Sequence, residues 1–278
     1  MMPISQHQKR LMLVVGLLLT FGRLRAEEMQ LLVTVVDAKT GSPIEYLKAS
    51  NFSVANNGTK LQIVEATYKR TPVDIVLLVD TSTLGEMMRS LSSIFIEGLR
   101  AEERMSIVAF NESAHLLRDF TTNKNDLLKA LRHFSYGNNP RILDALFATL
   151  DDVMRTFAAG RRVIVLLSTG VEGYSRTALV DVLRLAREKN ISIYPVYLNP
   201  ADQNLLRRLA RETGGAHFRI RPKKQSFKML AQSIFSVLRG HYVMKLRGRY
   251  IFDNRIEIKM RDRIGPKVNP RISAMVLE

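Results

Sequence analysis

The chain has no cysteine, which excludes disulfides, a thiolate nucleophile, cysteine zinc sites and a lipid-modified N-terminal cysteine. An oxidising compartment therefore holds no hazard for it. It also lacks a Gly-x-x-x-x-Gly-Lys phosphate loop. The Gly-Val-Glu-Gly of Gly170 to Gly173 follows an apolar run without the dinucleotide fingerprint, so it reads as a tight turn. The five histidines (His7, His115, His133, His217, His241) are isolated and fit no metal spacing. No nucleophile with a base and no catalytic carboxylate pair stands out, so the chain reads as a non-enzyme with no cofactor. Internal repeats and low-complexity segments are absent as well.

What is present is 278 residues, 46% hydrophobic and 24% charged, enough for one substantial core with a small addition. The formal net charge is +16. Part of it (Lys9, Arg10, Arg23, Arg25) sits in an acid-free stretch at residues 1–26. The remaining excess favours an anionic contact, such as an acidic protein, a phosphate-rich envelope surface or nucleic acid. The basic residues are scattered, with no long run and no aromatics interleaved, so the plainer reading is an ordinary solvated basic surface, and nucleic acid is not the expected partner.

Residues 1–26 read as an export signal: basic Lys9 and Arg10, an apolar run from Leu11 to Phe21, and Ala26 at the cut. The run is shorter than the roughly 20 residues a bilayer span needs, so no transmembrane span is expected once the signal is removed, and an uncleaved anchor is the alternative. Residues 27–70 form a small β-rich segment, with Leu31 to Val36, Phe52 to Val54 and Leu61 to Thr67 as strands around turn clusters. From Val73 the pattern changes. Continuous apolar runs (Val73 to Val79, Met105 to Phe110, Val163 to Leu167, Ile191 to Leu198) alternate with amphipathic stretches (Met88 to Leu99, Asp126 to Phe134, Ile142 to Phe157, Thr177 to Lys189, Leu205 to Glu212, and a last helix from Phe227 that stops at Gly240). Strand and helix in alternation predict an α/β fold over 71–240, with a doubly wound, mostly parallel, Rossmann-like sheet. Residues 241–278 return to β character and are expected to pair with the N-terminal β segment, since neither is stable alone. Asn-x-Ser/Thr triplets at Asn51, Asn57, Asn111 and Asn190 would be glycosylated only in a eukaryotic secretory route.

Four stretches read together resemble the von Willebrand factor A-like family: Val73 to Ser82 (VDIVLLVDTS), Met105 to Thr121, Arg161 to Gly170 (RRVIVLLSTG) and Leu205 to Phe218 (LLRRLARETGGAHF). Val33 to Val54 is similar to the leading strand pair of a secreted bacterial branch. The resemblance implies a protein-binding module, secreted or periplasmic, with its contact face at the carboxyl edge of the sheet. In the family that edge holds a divalent metal on an Asp-x-Ser-x-Ser loop, a Thr on a second loop and an Asp on a third.

Here the first loop is Asp80-Thr81-Ser82-Thr83-Leu84, the second-loop position is Pro140, and the third is Thr169 before Gly170. Only Asp80 and Ser82 match, and neither leucine nor proline offers a side-chain oxygen, so the resemblance implies a degenerate metal site and no bound metal. Glu86, Asp144 and Glu172 could rebuild a site, because selectivity rests on ligand number and geometry. Alternatively Arg141 takes the place of the ion beside Asp80, or Asp80 caps the next helix. The partner-binding edge is assigned to Asp80, Ser82, Thr83, Glu86, Arg141, Asp144, Thr169 and Glu172. The competing readings are an electrostatic binder of anionic polymers or envelope surfaces and, behind it, a metal-dependent hydrolase.

Overall fold

The computed structural model describes residues 28–82, 85–152, 161–222, 226–248, 256–261 and 268–277. The signal segment, Thr83, Leu84 and the end of the Ile142 to Phe157 stretch lie outside the described residues.

The N-terminal β segment forms β1 (Glu28–Asp37), β2 (Phe52–Asn56) and β3 (Thr59–Arg70). The α/β unit follows with β4 (Asp74–Asp80), α1 (Gly85–Glu97), β5 (Arg104–Phe110), β6 (Ala114–Thr121), α2 (Lys124–Ala130), α3 (Ile142–Asp152), β7 (Arg162–Ser168), α4 (Leu179–Glu188), β8 (Ile191–Tyr197), α5 (Gln203–Glu212), β9 (Phe218–Arg219) and α6 (Phe227–Arg239). Strands β10 (Gly240–Arg247), β11 (Ile256–Met260) and β12 (Pro270–Leu277) complete the described chain.

The sheet of the α/β unit runs β6-β5-β4-β7-β8-β9, parallel except where β6 lies antiparallel to β5. Every residue of β4 and β8 is buried, as continuous apolar runs require when helices cover both faces. The two-residue period then divides the core. Ile75, Leu77, Val79, Val163, Val165 and Leu167 face α1, α2 and α6, whereas Val76, Leu78, Ile164 and Leu166 face α3, α4 and α5. The expected mostly parallel, doubly wound sheet is the one observed. Strands β6 and β9 go beyond the sequence reading, since one is amphipathic and exposed at the sheet edge and the other is two residues long.

The terminal β segments form a second sheet, antiparallel throughout, in the order β11-β2-β3-β10-β1-β12. The tail thus pairs with the N-terminal segment, and Tyr242 shows why this closes a core. Fully buried beside Phe52, it donates to the Ile44 carbonyl at 2.7 Å and accepts from the Leu47 amide at 3.0 Å.

The two sheets are joined covalently and by buried polar contacts. Helix α6 passes directly into β10, and its last residue, Arg239, forks onto the buried Glu103 at 2.8 and 2.6 Å while also donating to the Gly98 carbonyl. Thr34 of β1 donates to the carbonyl of Gly214 at 2.7 Å. Gly214 ends α5 in the left-handed region (φ 71°), where a Cβ would come within 3.1 Å of Met275. Glycine is required there on both counts.

Truncating one partner of a buried ion pair strands the other charge. Arg239→Ala should therefore lower the unfolding free energy by about 3–5 kcal/mol in urea denaturation, with Glu103→Leu/Arg239→Met recovering most of the loss. A second expectation concerns pH. Burial, aided by Arg271 and Arg161 respectively, pushes His217 and His241 down to about 3. Below an unfolded value near 6.5 the unfolded chain binds more protons than the native one. Stability is full above pH ~6.5 and falls towards pH ~3, and His241→Gln should flatten that slope in urea titrations across the window.

Candidate functional site

Strands β4 and β7 are neighbours, yet β4 leads into α1 on one face of the sheet and β7 leads on to α4 on the other. The exit loops diverge and leave a crevice beyond the carboxyl ends, where open α/β sheets place their ligands. Asp80 ends β4 and Ser168 ends β7, so the two side chains meet at that point.

Asp80 is fully buried, and an unmet carboxylate there would be costly. Its oxygens are met entirely by neutral donors. Oδ1 accepts from the Ser82 amide at 2.9 Å and the Ser82 hydroxyl at 2.5 Å. Oδ2 accepts from the Ser168 hydroxyl at 3.2 Å, the Thr169 amide at 2.9 Å and the Thr169 hydroxyl at 2.8 Å. The Arg141 substitution for an ion is not made, and this corrects that expectation: Arg141 is not among the partners of Asp80. Its amide donates to the Asn111 carbonyl at 2.9 Å, and its charge acts on Asp144. The physical reason is that hydroxyls and amides already satisfy Asp80, leaving no need for a counter-charge. The capping alternative runs through residues 83 and 84, outside the described residues.

The other expected carboxylates lie on the same edge but are engaged elsewhere. Glu172 accepts from the amides of Gly173, Tyr174 and Ser175 and, through Oε2, from the Leu143 amide at 3.0 Å in the first turn of α3. Asp144 accepts from the amides of Arg176 and Thr177. Burial pushes the Asp144 carboxyl up, but hydrogen bonds from Thr177 and Arg176 outweigh it and hold it below the usual range. Together these two acids tie the 172–177 loop onto the start of α3. Glu86 is exposed, forked by Arg89 at 2.5 Å and met by the Tyr136 hydroxyl at 2.6 Å. The Arg89 and Tyr136 hydrogen bonds hold its carboxyl below the ordinary value.

Several residues outside the sequence assignment complete the edge. Asn111 donates to Thr81 Oγ1 and to the Ser135 carbonyl, and Thr81 donates to the carbonyls of Phe110 and Ser135, which pins the 135–141 loop against β4 and β5. Asp202 accepts from the Glu172 amide at 2.8 Å. Gly170 (φ 89°) sits where a Cβ would lie 2.1 Å from the Asn199 carbonyl. Tyr136 and Tyr174, 48% and 52% exposed, stand on the second and third loops, and their signal in sequence is only that an aromatic occurs beside glycine in a polar loop. Among the described residues no group of three or more His, Cys, Asp or Glu side chains is placed to hold a metal ion.

The von Willebrand factor type A domain model matches residues 74–233. No curated protein matches the sequence. Among solved structures, the chain is similar to proximal thread matrix protein 1 from the mussel byssus, with a zinc-occupied MIDAS motif, at 13% identity and a TM-score of 0.54, covering 69% of this chain and 50% of that one. It is also similar to the conserved hypothetical protein BatB from Bacteroides thetaiotaomicron (15% identity, TM-score 0.48, 59% of this chain and 97% of that one). The vWF domain of the type V pili tip protein Mfa5 from Porphyromonas gingivalis follows at 14% identity and a TM-score of 0.45, over 59% and 95% of the two chains. These likenesses are of fold.

Thr169 offers a direct test of the Asp80 network. Thr169→Val removes one buried donor and should cost about 1–3 kcal/mol in thermal or urea unfolding. Thr169→Asp should cost more, because it sets a second carboxylate where a hydroxyl now donates, and millimolar magnesium should recover part of the difference. Equal losses in the two variants would contradict this account of Asp80.

Proposed function

The chain belongs to the von Willebrand factor type A domain family, and from that premise we propose that it is a non-enzymatic protein-binding module whose contact face is the loop edge around Asp80, engaged without a metal ion. The observation that carries this reading is the self-satisfied carboxylate: five neutral hydrogen bonds occupy Asp80. A hard divalent cation wants about six oxygen ligands. The residues present do not fit one, since Leu84 and Pro140 have no side-chain donor and the oxygens of Asp144 and Glu172 are spent on backbone amides. The mussel protein, by contrast, has a zinc-occupied motif.

Without an ion, attraction comes from shape, aromatic contact and charge. Tyr136 and Tyr174 stand exposed on two loops of this edge, and tyrosine is enriched at interface hot spots because it buries a large rigid ring at small entropic cost. Arg141 and Arg176 lie on the same loops and add positive charge. The proposed partner is a protein with an acidic, apolar-centred surface. The proposed location is outside the cytoplasm of a bacterium, secreted or periplasmic, on the strength of the signal-like residues 1–26. No helix among the described residues is long and apolar enough to cross a membrane.

Cross-linking of the full chain in its native envelope, followed by identification of the attached protein, tests this reading. The same partner should be recovered with and without EDTA, more weakly at 0.5 M than at about 0.15 M salt, as screening dictates. The double variant Tyr136→Ala/Tyr174→Ala should lose at least about thirtyfold in affinity, the equivalent of one hot-spot side chain. Binding that EDTA abolishes would overturn it.

A further inference from the structure

A cleft of about 520 Å³ lies away from the Asp80 edge, where α5 of the α/β unit faces β12 and the end of β1. Its volume is that of a small-molecule site. Three arginines line it. Arg207 and Arg211 project from adjacent turns of α5, four residues apart and so on one helix face. Arg271 comes across from β12, half-buried and held in place: its Nη1 contacts His217 Nε2 at 2.6 Å and its Nη2 donates to the His217 carbonyl at 3.3 Å. The imidazole is neutral, since burial and Arg271 push it down to about 3, so it orients the guanidinium as an acceptor and adds no charge.

Among the described residues no acid lines this cleft. Among the described residues Arg207 and Arg271 form no ion pair. Arg211 meets only Glu212 at 3.3 Å, a carboxylate already taken by Arg208 at 2.8 Å. Asp37 acts on Arg271 through space and forms no ion pair with it, because its oxygens accept from the amides of Lys39, Thr40 and Asn269. Arg271 also keeps a buried Nε without a hydrogen-bond partner among the described residues. Three guanidiniums line one cleft, answered only by a shared Glu212 and by the through-space charge of Asp37, which favours a multivalent anion, and their planar forks match oxyanions bidentately. The remaining wall is mixed, with Asn269 and Ser273 beside an apolar part of Val36 and Ile272 that suits an organic portion.

We propose that this cleft is a binding site for a small molecule bearing a multivalent oxyanion, either a phosphoryl group or a polycarboxylate. The site requires both sheets, since Arg207 and Arg211 come from one unit and Arg271 from the other, so a ligand there would clamp the two together. The proposal is independent of the partner-binding reading, because none of its residues lies on the Asp80 edge.

The test is calorimetric and thermal titration of the full chain with pyrophosphate and, separately, with citrate, at constant ionic strength set with chloride. At least one should bind saturably at one site per chain and raise the melting temperature, and which one does so distinguishes phosphoryl from carboxylate recognition. Arg207→Ala/Arg211→Ala, exposed positions whose loss leaves the fold intact, should weaken binding at least tenfold. Arg271→Lys, which keeps charge but loses the fork, should weaken it as well. Failure of both anions to bind saturably, or equal binding by the double variant, overturns the proposal.

Discussion

A carboxylate held away from water must be answered by a cation, a proton or a set of hydrogen-bond donors, and the choice made at Asp80 organises the carboxyl edge of this protein. The strand that ends in Asp80 is buried along its whole length, so water does not solvate the group. Donors come from its own loop through Ser82 and from the exit of the neighbouring strand through Ser168 and Thr169. One side chain thereby stitches together two loops that the doubly wound topology would otherwise let diverge. The position of Thr169 is decisive. Its hydroxyl lies 2.8 Å from Asp80, and an aspartate in that place would face Asp80 across a few ångströms as a like charge, a pair that a cation or a shared proton would have to reconcile. Threonine replaces that repulsion with a hydrogen bond.

The same economy extends outward. Glu172 and Asp144 spend their oxygens on the backbone of the 172–177 loop and on the first turn of α3, where negative charge also suits the helix dipole. Asp202 takes the Glu172 amide, and the Asp202 amide in turn donates to the Gly170 carbonyl. An acid count along these loops suggests a metal cage, whereas their hydrogen bonds describe a frame. What such a frame presents to solvent is Tyr174, the ring of Tyr136, whose hydroxyl is held by Glu86, and the basic residues beside them. Loops so fixed lose little entropy on binding, which favours a preformed contact surface.

Legibility in the sequence followed physical range. The fully buried strands were readable because continuous apolar runs admit one explanation at their length, and the helices because their apolar positions recur every three or four residues. Strand β6 was not, since Ala114 to Thr121 mixes charge with apolar residues in the manner of an exposed edge. Asp80 and Ser82 were legible at the end of a strand, and Pro140 and Leu84 by their lack of oxygen. The role of Arg141 was misjudged because adjacency to Pro140 in the chain says nothing about where a long side chain points. Ser168 went unnoticed as a partner of Asp80, 88 residues distant, because hydrogen bonds across two strands leave no local pattern.

The antiparallel sheet deserves to be counted as part of the same cooperative body rather than as an appendage to the family domain. Helix α6 enters β10 without a loop, Arg239 at that junction is locked to the buried Glu103 that precedes β5, and Val36 of β1 belongs to the core that packs against α6. A family match ending at residue 233 therefore stops inside the last helix of a larger folding unit. The consequence is a surface that neither unit has alone. Arginines on α5 meet an arginine on β12 only because the two sheets dock, and like charges brought together by docking oppose it unless an anion lies between them. Three of the chain's positive charges, at Arg207, Arg211 and Arg271, thus gather in one cleft. An anion bound there, as proposed, would relieve that like-charge repulsion.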